Sequence, residues 1–321
     1  MNQEKVRIAF IGFGEAGRIL GKGLADTGRY DVAAYDLLFD DTNKRTEMLA
    51  SASASGVRAA ASAAEAVAGA RVVVSAVTAR SARDVARTVA GLIGPERFFM
   101  DINSVAPENK KQSAADIEGA GAAYVDAAVM ESVPPQGIRV PMLLGGRSAG
   151  ALKSLLDPAG MNLEVVSDEI GVASAIKMCR SVMIKGLEAL SIECLLTARR
   201  YGVEERVIAS LDKTFPSLDW NRQGNYLMSR VVKHGTRRAA EMREVAVTLR
   251  DVGLDPLMVA GTVERQQWVA DLATDGTFQG VVMDAFSWRD AADAIVGRQG
   301  PGGHAAIRKS GSNRGNGESN E

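Results

Sequence analysis

The stretch VRIAFIGFGEAGRIL, close to the start of the chain, restricts the possible folds more than any other. Apart from Arg7, residues 6–13 are apolar or glycine at consecutive rather than alternate positions, which marks a strand buried on both faces of a parallel sheet. The run leads into Gly12-Phe13-Gly14-Glu15-Ala16-Gly17, a GxGxxG, and then into a helical pattern over about residues 15–27 that Gly28 stops. Each glycine has a task in such a turn. Gly12 allows the tight bend, Gly14 lets the backbone approach a pyrophosphate, and Gly17 lets helix and strand pack closely. The helix N-terminus adds free N–H groups and a positive dipole end. The next strand, DVAAYD, ends in Asp36, 19 residues beyond Gly17, near the spacing of a carboxylate that binds adenosine ribose hydroxyls. Strand, turn, helix and acid together predict a dinucleotide site, against the plainer reading of a glycine-rich turn and an ordinary surface aspartate. A carboxylate at 36 repels a 2′-phosphate, and residues 37–43 contain no Arg or Lys. NAD is therefore expected over NADP, with Lys44 and Arg45 more distant unless a mobile loop brings them in.

Strand and helix patterns alternate from there. RVVVSAV is a strand followed by the helix SARDVARTVAGLI; RFFMDIN leads into a helix near 107–120; AAYVDAAV and VPMLLGG are further strands. Alternation of this kind implies an α/β fold, a Rossmann-type doubly wound parallel sheet with helices on both faces. From about Ser167 the strand signals stop. Residues 168–200 form one long helical pattern ending before Gly202, and helical segments continue to about Val296. The expected organisation is a nucleotide-binding domain over 1–167, an all-helical substrate and dimerisation domain over 168–297, and a Gly/Ser/Asn-rich disordered tail over 298–321.

With 321 residues, 46% hydrophobic and 24% charged, the chain has the composition of a soluble globular protein, and its net charge of −1 gives no footprint for nucleic acid or an anionic membrane. There is no apolar run of about 18 residues without charge and no signal-peptide pattern at the start. Cys179 and Cys194 share one predicted helix, roughly 22 Å apart at the helical rise, too far for a disulfide. A reduced, cytoplasmic setting is expected. His234 and His304 are the two histidines, and no metal site is expected.

Four blocks in order carry a family resemblance: GFGEAG at 12–17, DINSVAP at 101–107, DAAVMESVPPQGIRVPMLLGG at 126–146, and the helix bearing Lys177. The chain resembles the β-hydroxyacid dehydrogenase superfamily, which includes 3-hydroxyisobutyrate and 6-phosphogluconate dehydrogenases. The stretch HGTRRAAEMREVAVTLRDVGLDPLM is similar to a poorly characterised branch related to the latter. The resemblance implies a dehydrogenase whose Gly12, Phe13, Gly14, Glu15, Ala16, Gly17, Asp36, Val77, Thr78 and Asn103 contact the cofactor. It also implies that Asn103 and Ser104 orient nicotinamide and substrate hydroxyl, although an Asx/ST turn opening the helix at Pro107 accounts equally well for both residues. Family members carry Val-Ser-Gly-Gly where this chain has Val129, Met130, Glu131 and Ser132. The glycine loop that holds a substrate carboxylate is absent, and Met130, Glu131 and Ser132 become candidate substrate contacts.

Lys177 matches the family's general acid/base. Oxidation of a secondary alcohol needs a group that takes the hydroxyl proton, and a desolvated lysine among cations can do so. Family asparagines near this lysine are replaced by Arg180 and Ser181, which share its helix face. Ser181 is a candidate donor to a substrate oxygen, and Arg180 a candidate bidentate partner for an anion. Lys185 lies about 80° around the helix and has no assigned task. Arg230, His234, Arg237 and Glu241 recur at helical spacing, either as a solvated ion-paired face or as a stripe from which Arg230 or His234 reaches substrate. The resemblance also implies a homodimer packed through the long helix, and a small acidic substrate. The competing readings are an NADPH-dependent imine or ketone reductase, and a dinucleotide-binding protein without catalysis.

Overall fold

A computed structural model describes residues 5–298, so the expectation of a disordered tail falls on residues that lie outside the described ones, apart from Arg298. Strand and helix alternate through β1 (Val6–Ile11), α1 (Glu15–Asp26), β2 (Tyr30–Tyr35), α2 (Arg45–Ala54), β3 (Arg58–Ala59), α3 (Ala63–Val67), β4 (Val72–Ser75), α4 (Ala79–Ala90), β5 (Phe98–Asp101), α5 (Pro107–Gly119) and β6 (Ala123–Val129). A short turn, α6 (Val133–Gln136), leads to β7 (Met142–Gly145), α7 (Ala149–Leu156) and β8 (Leu163–Ser167). Among the described residues these strands form one sheet in the order β3-β2-β1-β4-β5-β6-β7-β8.

The consecutive apolar positions of β1 explain its central place. Ile8 and Phe10 enter the apolar core on one face of the sheet, and Ala9 and Ile11 enter the core on the other. Strand β1 pairs in parallel with β2 on one side and β4 on the other. The chain order reverses at that point, and the crevice beyond the carboxyl ends of strands at such a switch is where nucleotides bind in this architecture. All joins are parallel except β6–β7, where β7 runs back antiparallel beside β6. Strands β3 and β8 and helices α3, α6 and α7 escaped the sequence pattern; β3, α3 and α6, with two, five and four residues, are too short to show a period.

The helical segments are α8 (Val172–Tyr201), α9 (Glu204–Thr214), α10 (Trp220–Asp251), α11 (Leu257–Thr274) and α12 (Trp288–Arg298). Gly202 closes α8 at φ +64°, its N–H donating to the Arg199 carbonyl, as a left-handed helix end requires. Two compact units result, and they do not divide where the strands end. The first runs up to Ala189 and includes Gly235–Gln267; the second comprises Leu190–His234 and the described residues 268–298. In the first, α8 packs Met178 against Met242, Val245, Val259 and Val263. In the second, Ile192, Met228, Val231, Val269 and Trp288 form the core, and the Trp288 indole N–H donates to Asn221 at 2.9 Å.

Helix α10 is non-helical at His234 (φ −134°, ψ 16°), so the expected stripe from Arg230 to Glu241 is not one continuous face. Helix α8 exposes Ile176, Cys179, Met183, Leu187, Leu190, Cys194 and Tyr201, which fall along one side at helical spacing. Among the described residues no helix is long and apolar enough to cross a membrane, and no cluster of three or more His, Cys, Asp or Glu is placed to hold a metal.

Candidate active site

The three glycines of the first turn are required for different reasons. Gly12 adopts φ +99°, and a Cβ there would lie 2.3 Å from the Ala76 carbonyl oxygen; a Cβ on Gly17 would lie 2.3 Å from the Gly12 carbonyl oxygen. Both are glycine because the protein's own backbone passes too close. A Cβ on Gly14 would meet no protein atom within 4 Å. Gly14 also stands at the N-cap of α1 without any side-chain cap, and Glu15 and Ala16 follow in the first turn with Glu15 exposed. The open space and the uncapped helix end fit a pyrophosphate.

Asp36 is tied to this turn. Its Oδ2 accepts from the Phe13 N–H at 2.6 Å and its Oδ1 from the Leu38 N–H at 2.9 Å. The Phe13 ring is buried against Phe39 at 5.9 Å, so only its backbone faces the turn. The carboxylate stays half-exposed at the end of β2, and the residues fit the adenosine half of a dinucleotide. Lys44 sits 4.0 Å from Glu47, beside the start of α2.

Asn103 braces the ends of β4 and β5. Its Oδ1 accepts from the Val77 N–H (2.7 Å), its Nδ2 donates to Ser75 Oγ (2.8 Å), and its own N–H donates to Asp101 Oδ1 (2.9 Å). The side chain is buried with both polar atoms engaged. It holds Val77 and the exposed Thr78, which starts α4, rather than opening the helix at Pro107. That helix end is satisfied by Glu244 of α10, which accepts from the Ala106 N–H (3.0 Å) and Asn109 Nδ2 (3.2 Å). Ser104 is half-buried.

A buried polar network that sequence reasoning missed fixes the lysine helix to the sheet. Asp126 of β6 accepts from the N–H groups of Gly171 (3.2 Å) and Ser174 (3.0 Å) and from Ser174 Oγ (2.7 Å). It thereby caps α8 with a negative charge at the positive end of the helix. Lys110 lies between Asp126 (3.4 Å) and Asp101 (3.0 Å), and Tyr124 donates its hydroxyl to Asp101 at 2.7 Å. Burial and the neighbouring Asp101 push the Tyr124 phenol well above its usual range, so it remains a neutral donor. The available signal was Asp101 and Asp126 within otherwise apolar strands. A buried carboxylate must be paired, and the partner is not adjacent in sequence.

Lys177 follows one turn after Ser174. It is half-buried, and among the described residues it makes no ion pair. Burial lowers its pKa from 10.5 to about 8; Glu241 works against the fall, and Lys185, Lys110 and Arg237 assist it. Lys185, which had no assigned task, is 6% exposed. It pairs with Glu241 Oε2 at 2.9 Å and donates to Ser181 Oγ at 3.1 Å. The other oxygen of Glu241 accepts from Arg237 at 2.8 Å, the i,i+4 pair expected from the sequence. Burial alone would raise Glu241, but Lys185, Lys177 and Arg237 outweigh it and hold the carboxyl at about 2. One turn deeper, Glu188, Arg238 and Gln266 form a buried cluster.

Arg180 is exposed and reaches the Met130 carbonyl with Nη1 at 3.4 Å, a long contact that leaves most of its fork free. Glu131 is exposed and accepts from Gln136; Ser132 starts α6. Lys177, Ser181, Arg180 and the Met130 segment thus belong to one unit. Arg230, whose guanidinium lies 5.4 Å over the Tyr226 ring, and His234 belong to the other. The break at His234 is the physical reason: the helix repeat does not carry through it.

Residues 7–150 match the family described as the NAD binding domain of 6-phosphogluconate dehydrogenase, and residues 198–269 match a domain of unknown function (DUF1932). The chain is 38% identical to a conserved hypothetical protein from Sinorhizobium meliloti, covering 92% of this chain and 97% of that one, with a TM-score of 0.74. It is 32% identical to a conserved protein of unknown function described as structurally similar to 3-hydroxyacid dehydrogenases, covering 84% and 99%, with a TM-score of 0.67. The 3-hydroxyisobutyrate dehydrogenase of Mycobacterium tuberculosis shares the fold at 17% identity, covering 91% and 99%, with a TM-score of 0.67. The glycine turn with its open pyrophosphate space, the switch-point sheet and these similarities converge: the chain belongs to the β-hydroxyacid dehydrogenase superfamily and is a nicotinamide-dinucleotide-dependent oxidoreductase.

Proposed function

We propose that the protein is a dehydrogenase acting on a CH–OH or C=O carbon of a small acidic substrate, with Lys177 as general acid/base and NAD as the preferred dinucleotide. The observation that carries this reading is Lys177 itself. It is a half-buried amine without an ion pair, on a helix that Asp126 caps, in surroundings where cations outnumber the carboxylate. The bound nicotinamide supplies hydride acceptance or donation. In the oxidative direction the neutral Lys177 amine takes the hydroxyl proton as the C–H bond is lost, and in reduction the ammonium returns it. Lys185 donates into Ser181 Oγ, which leaves the Ser181 hydroxyl hydrogen free for a substrate oxygen. Arg180, resting on the Met130 carbonyl, takes the substrate's anionic group in place of the missing glycine loop, with Met130, Glu131 and Ser132 bordering it. Ser104 adds a hydroxyl, and Asn103 acts by holding Val77 and Thr78. Asp36 favours NAD by repelling a 2′-phosphate.

The test is a titration with NADH and NADPH, followed by turnover of a hydroxy-acid panel by wild type and Lys177→Ala. Turnover abolished by Lys177→Ala, with NADH bound more tightly, supports the proposal. Much tighter NADPH binding with imine reduction supports the reductase reading instead. Dinucleotide binding without turnover of any substrate supports a binding protein.

We also infer that a second copy of the chain covers the exposed stripe of α8. Read from either end, the stripe is near-symmetric about Gly186 and Leu187, placing Met183 opposite Leu190 and Cys179 opposite Cys194. An apolar stripe of that length calls for a partner, and this helix matches an antiparallel copy of itself.

A further inference from the structure

The proposed chemistry uses Lys177 and a Ser181 hydroxyl oriented by Lys185, and it gives no part to Glu241 or to the pairing of Lys185 with it. Both residues lie in the first unit, and their geometry is specific. Lys177, Ser181 and Lys185 follow one another at four-residue intervals on α8, so their side chains stand in one row along the helix. Lys185 is the most buried of the three charged or polar groups in that row. Its ammonium reaches Ser181 Oγ at 3.1 Å on one side and Glu241 Oε2 at 2.9 Å on the other. Arg237, half-exposed on α10, takes Glu241 Oε1 at 2.8 Å. Both carboxylate oxygens are therefore committed to cations other than Lys177.

A buried carboxylate near a lysine ordinarily becomes its counter-ion and keeps it protonated. A lysine so held cannot accept a proton at neutral pH. Here the charges facing Lys177 are Lys185 from its own helix, Glu241 and Arg237 from α10, and Lys110 from α5. Three are cations and one is an anion, and the anion is engaged twice.

We propose that Lys185 is a positioning residue whose task is to occupy Glu241: by taking the carboxylate that would otherwise pair with Lys177, it leaves Lys177 able to exist as a neutral amine, and the same ammonium orients the Ser181 hydroxyl as a donor. This rests on the assignment of Lys177 as the proton-transferring group, yet it concerns a property of the free protein and can be measured without substrate.

The experiment is competitive labelling of the whole protein with acetic anhydride across pH, with the acetylated fraction of the Lys177 peptide read by mass spectrometry. In the wild type the labelling midpoint of Lys177 is expected near its lowered value of about 8. Lys185→Met releases Glu241 toward Lys177, and the midpoint rises by about one pH unit or more, a tenfold loss of neutral amine at neutral pH. Glu241→Gln removes the one anion that faces Lys177 among the described residues, and the midpoint falls. Glu241→Asp keeps the pair, and the midpoint stays near that of the wild type. The Lys185→Met/Glu241→Gln double variant lies between the single variants, because the two perturbations act through one contact.

Opposite shifts from the two single variants are a signature that loosened packing does not give. If Glu241→Gln does not fold because Lys185 is left buried and unpaired, Lys185→Met and the double variant, in which no charge is stranded, carry the test. A midpoint that stays put or falls in Lys185→Met overturns the proposal. The two readings fail separately. Midpoints that move as stated with no turnover of any substrate sink the dehydrogenase assignment alone. Turnover that needs Lys177, with a midpoint indifferent to Lys185, sinks the counter-ion role alone.

Discussion

Replacing Lys110 with Met tests the account of how the lysine helix is held. Lys110 is fully buried, 3.0 Å from Asp101 and 3.4 Å from Asp126, and its ammonium also donates to the Asp101 carbonyl at 2.7 Å. Methionine fills nearly the same volume, so the packing loss is small. The electrostatic loss is not small. Two carboxylates buried beneath the sheet's helix cover would be left facing each other with one positive partner gone, and stranding a buried charge in this way costs about 3–5 kcal/mol. The remaining donors soften this: Tyr124 and the Asn103 N–H still serve Asp101, and the end of α8 still serves Asp126. The expected value therefore lies toward the lower end. For a unit of roughly 220 residues, a loss of about 3–5 kcal/mol lowers the melting temperature by roughly 6–20 °C. Calorimetry or circular dichroism at pH 7 reads this directly. Lys110→Met/Asp126→Asn should recover part of the loss, since it removes one stranded charge. A single variant melting within about 1 °C of wild type would show that the buried triad does not carry the anchoring assigned to it.

Stability should also rise with pH in two separate windows, one alkaline and one acid. Lys177 binds fewer protons folded than unfolded between about 8 and 10.5, so stability climbs with pH there, and its cost is fully present below that window. Lys177→Met is thus expected to stabilise the protein at pH 7, by at most about 3 kcal/mol, with the advantage fading by pH 10.5; urea unfolding at several pH values measures it. Glu241, held at about 2 against 4.5 unfolded, contributes stability above pH 4.5 that is lost as pH falls through 2, and Glu241→Gln should flatten that acid limb. Gly14→Val should leave folding intact and abolish NADH binding in a fluorescence titration. Gly17→Ala should impair folding itself, because its Cβ would meet the Gly12 carbonyl. Met183→Glu with Leu190→Glu should convert a dimer to a monomer by light scattering, and a monomeric wild type would refute the α8 pairing.

Much of the fold was legible because its signals are local. Consecutive apolar residues in β1, glycines at fixed spacing, an acid ending β2 and a glycine after α8 each act within a few residues of where they stand. The glycine turn could be read down to single atoms, since Gly12 and Gly17 answer to backbone a few residues away or one strand over. The lysine helix could be located, but its cations could not be ranked. Lys177 and Lys185 are both lysines on an apolar helix, eight positions apart. Which one is paired depends on Glu241, which lies 56 residues further along the chain. The kink at His234 likewise left no period in the sequence to betray it.

The sequence by itself determined a parallel sheet with a dinucleotide turn at its switch point and a helical second half, and it singled out Lys177 on the long helix as the candidate for proton transfer. Only the tertiary structure decided that Asn103 is a brace, that Asp126 caps α8, and that Lys185 rather than Lys177 holds the carboxylate of Glu241. The reason is physical. Backbone conformation and amphipathic period follow from neighbours in the chain, whereas the partner of a buried charge follows from whichever segments the fold brings within about 3 Å of it.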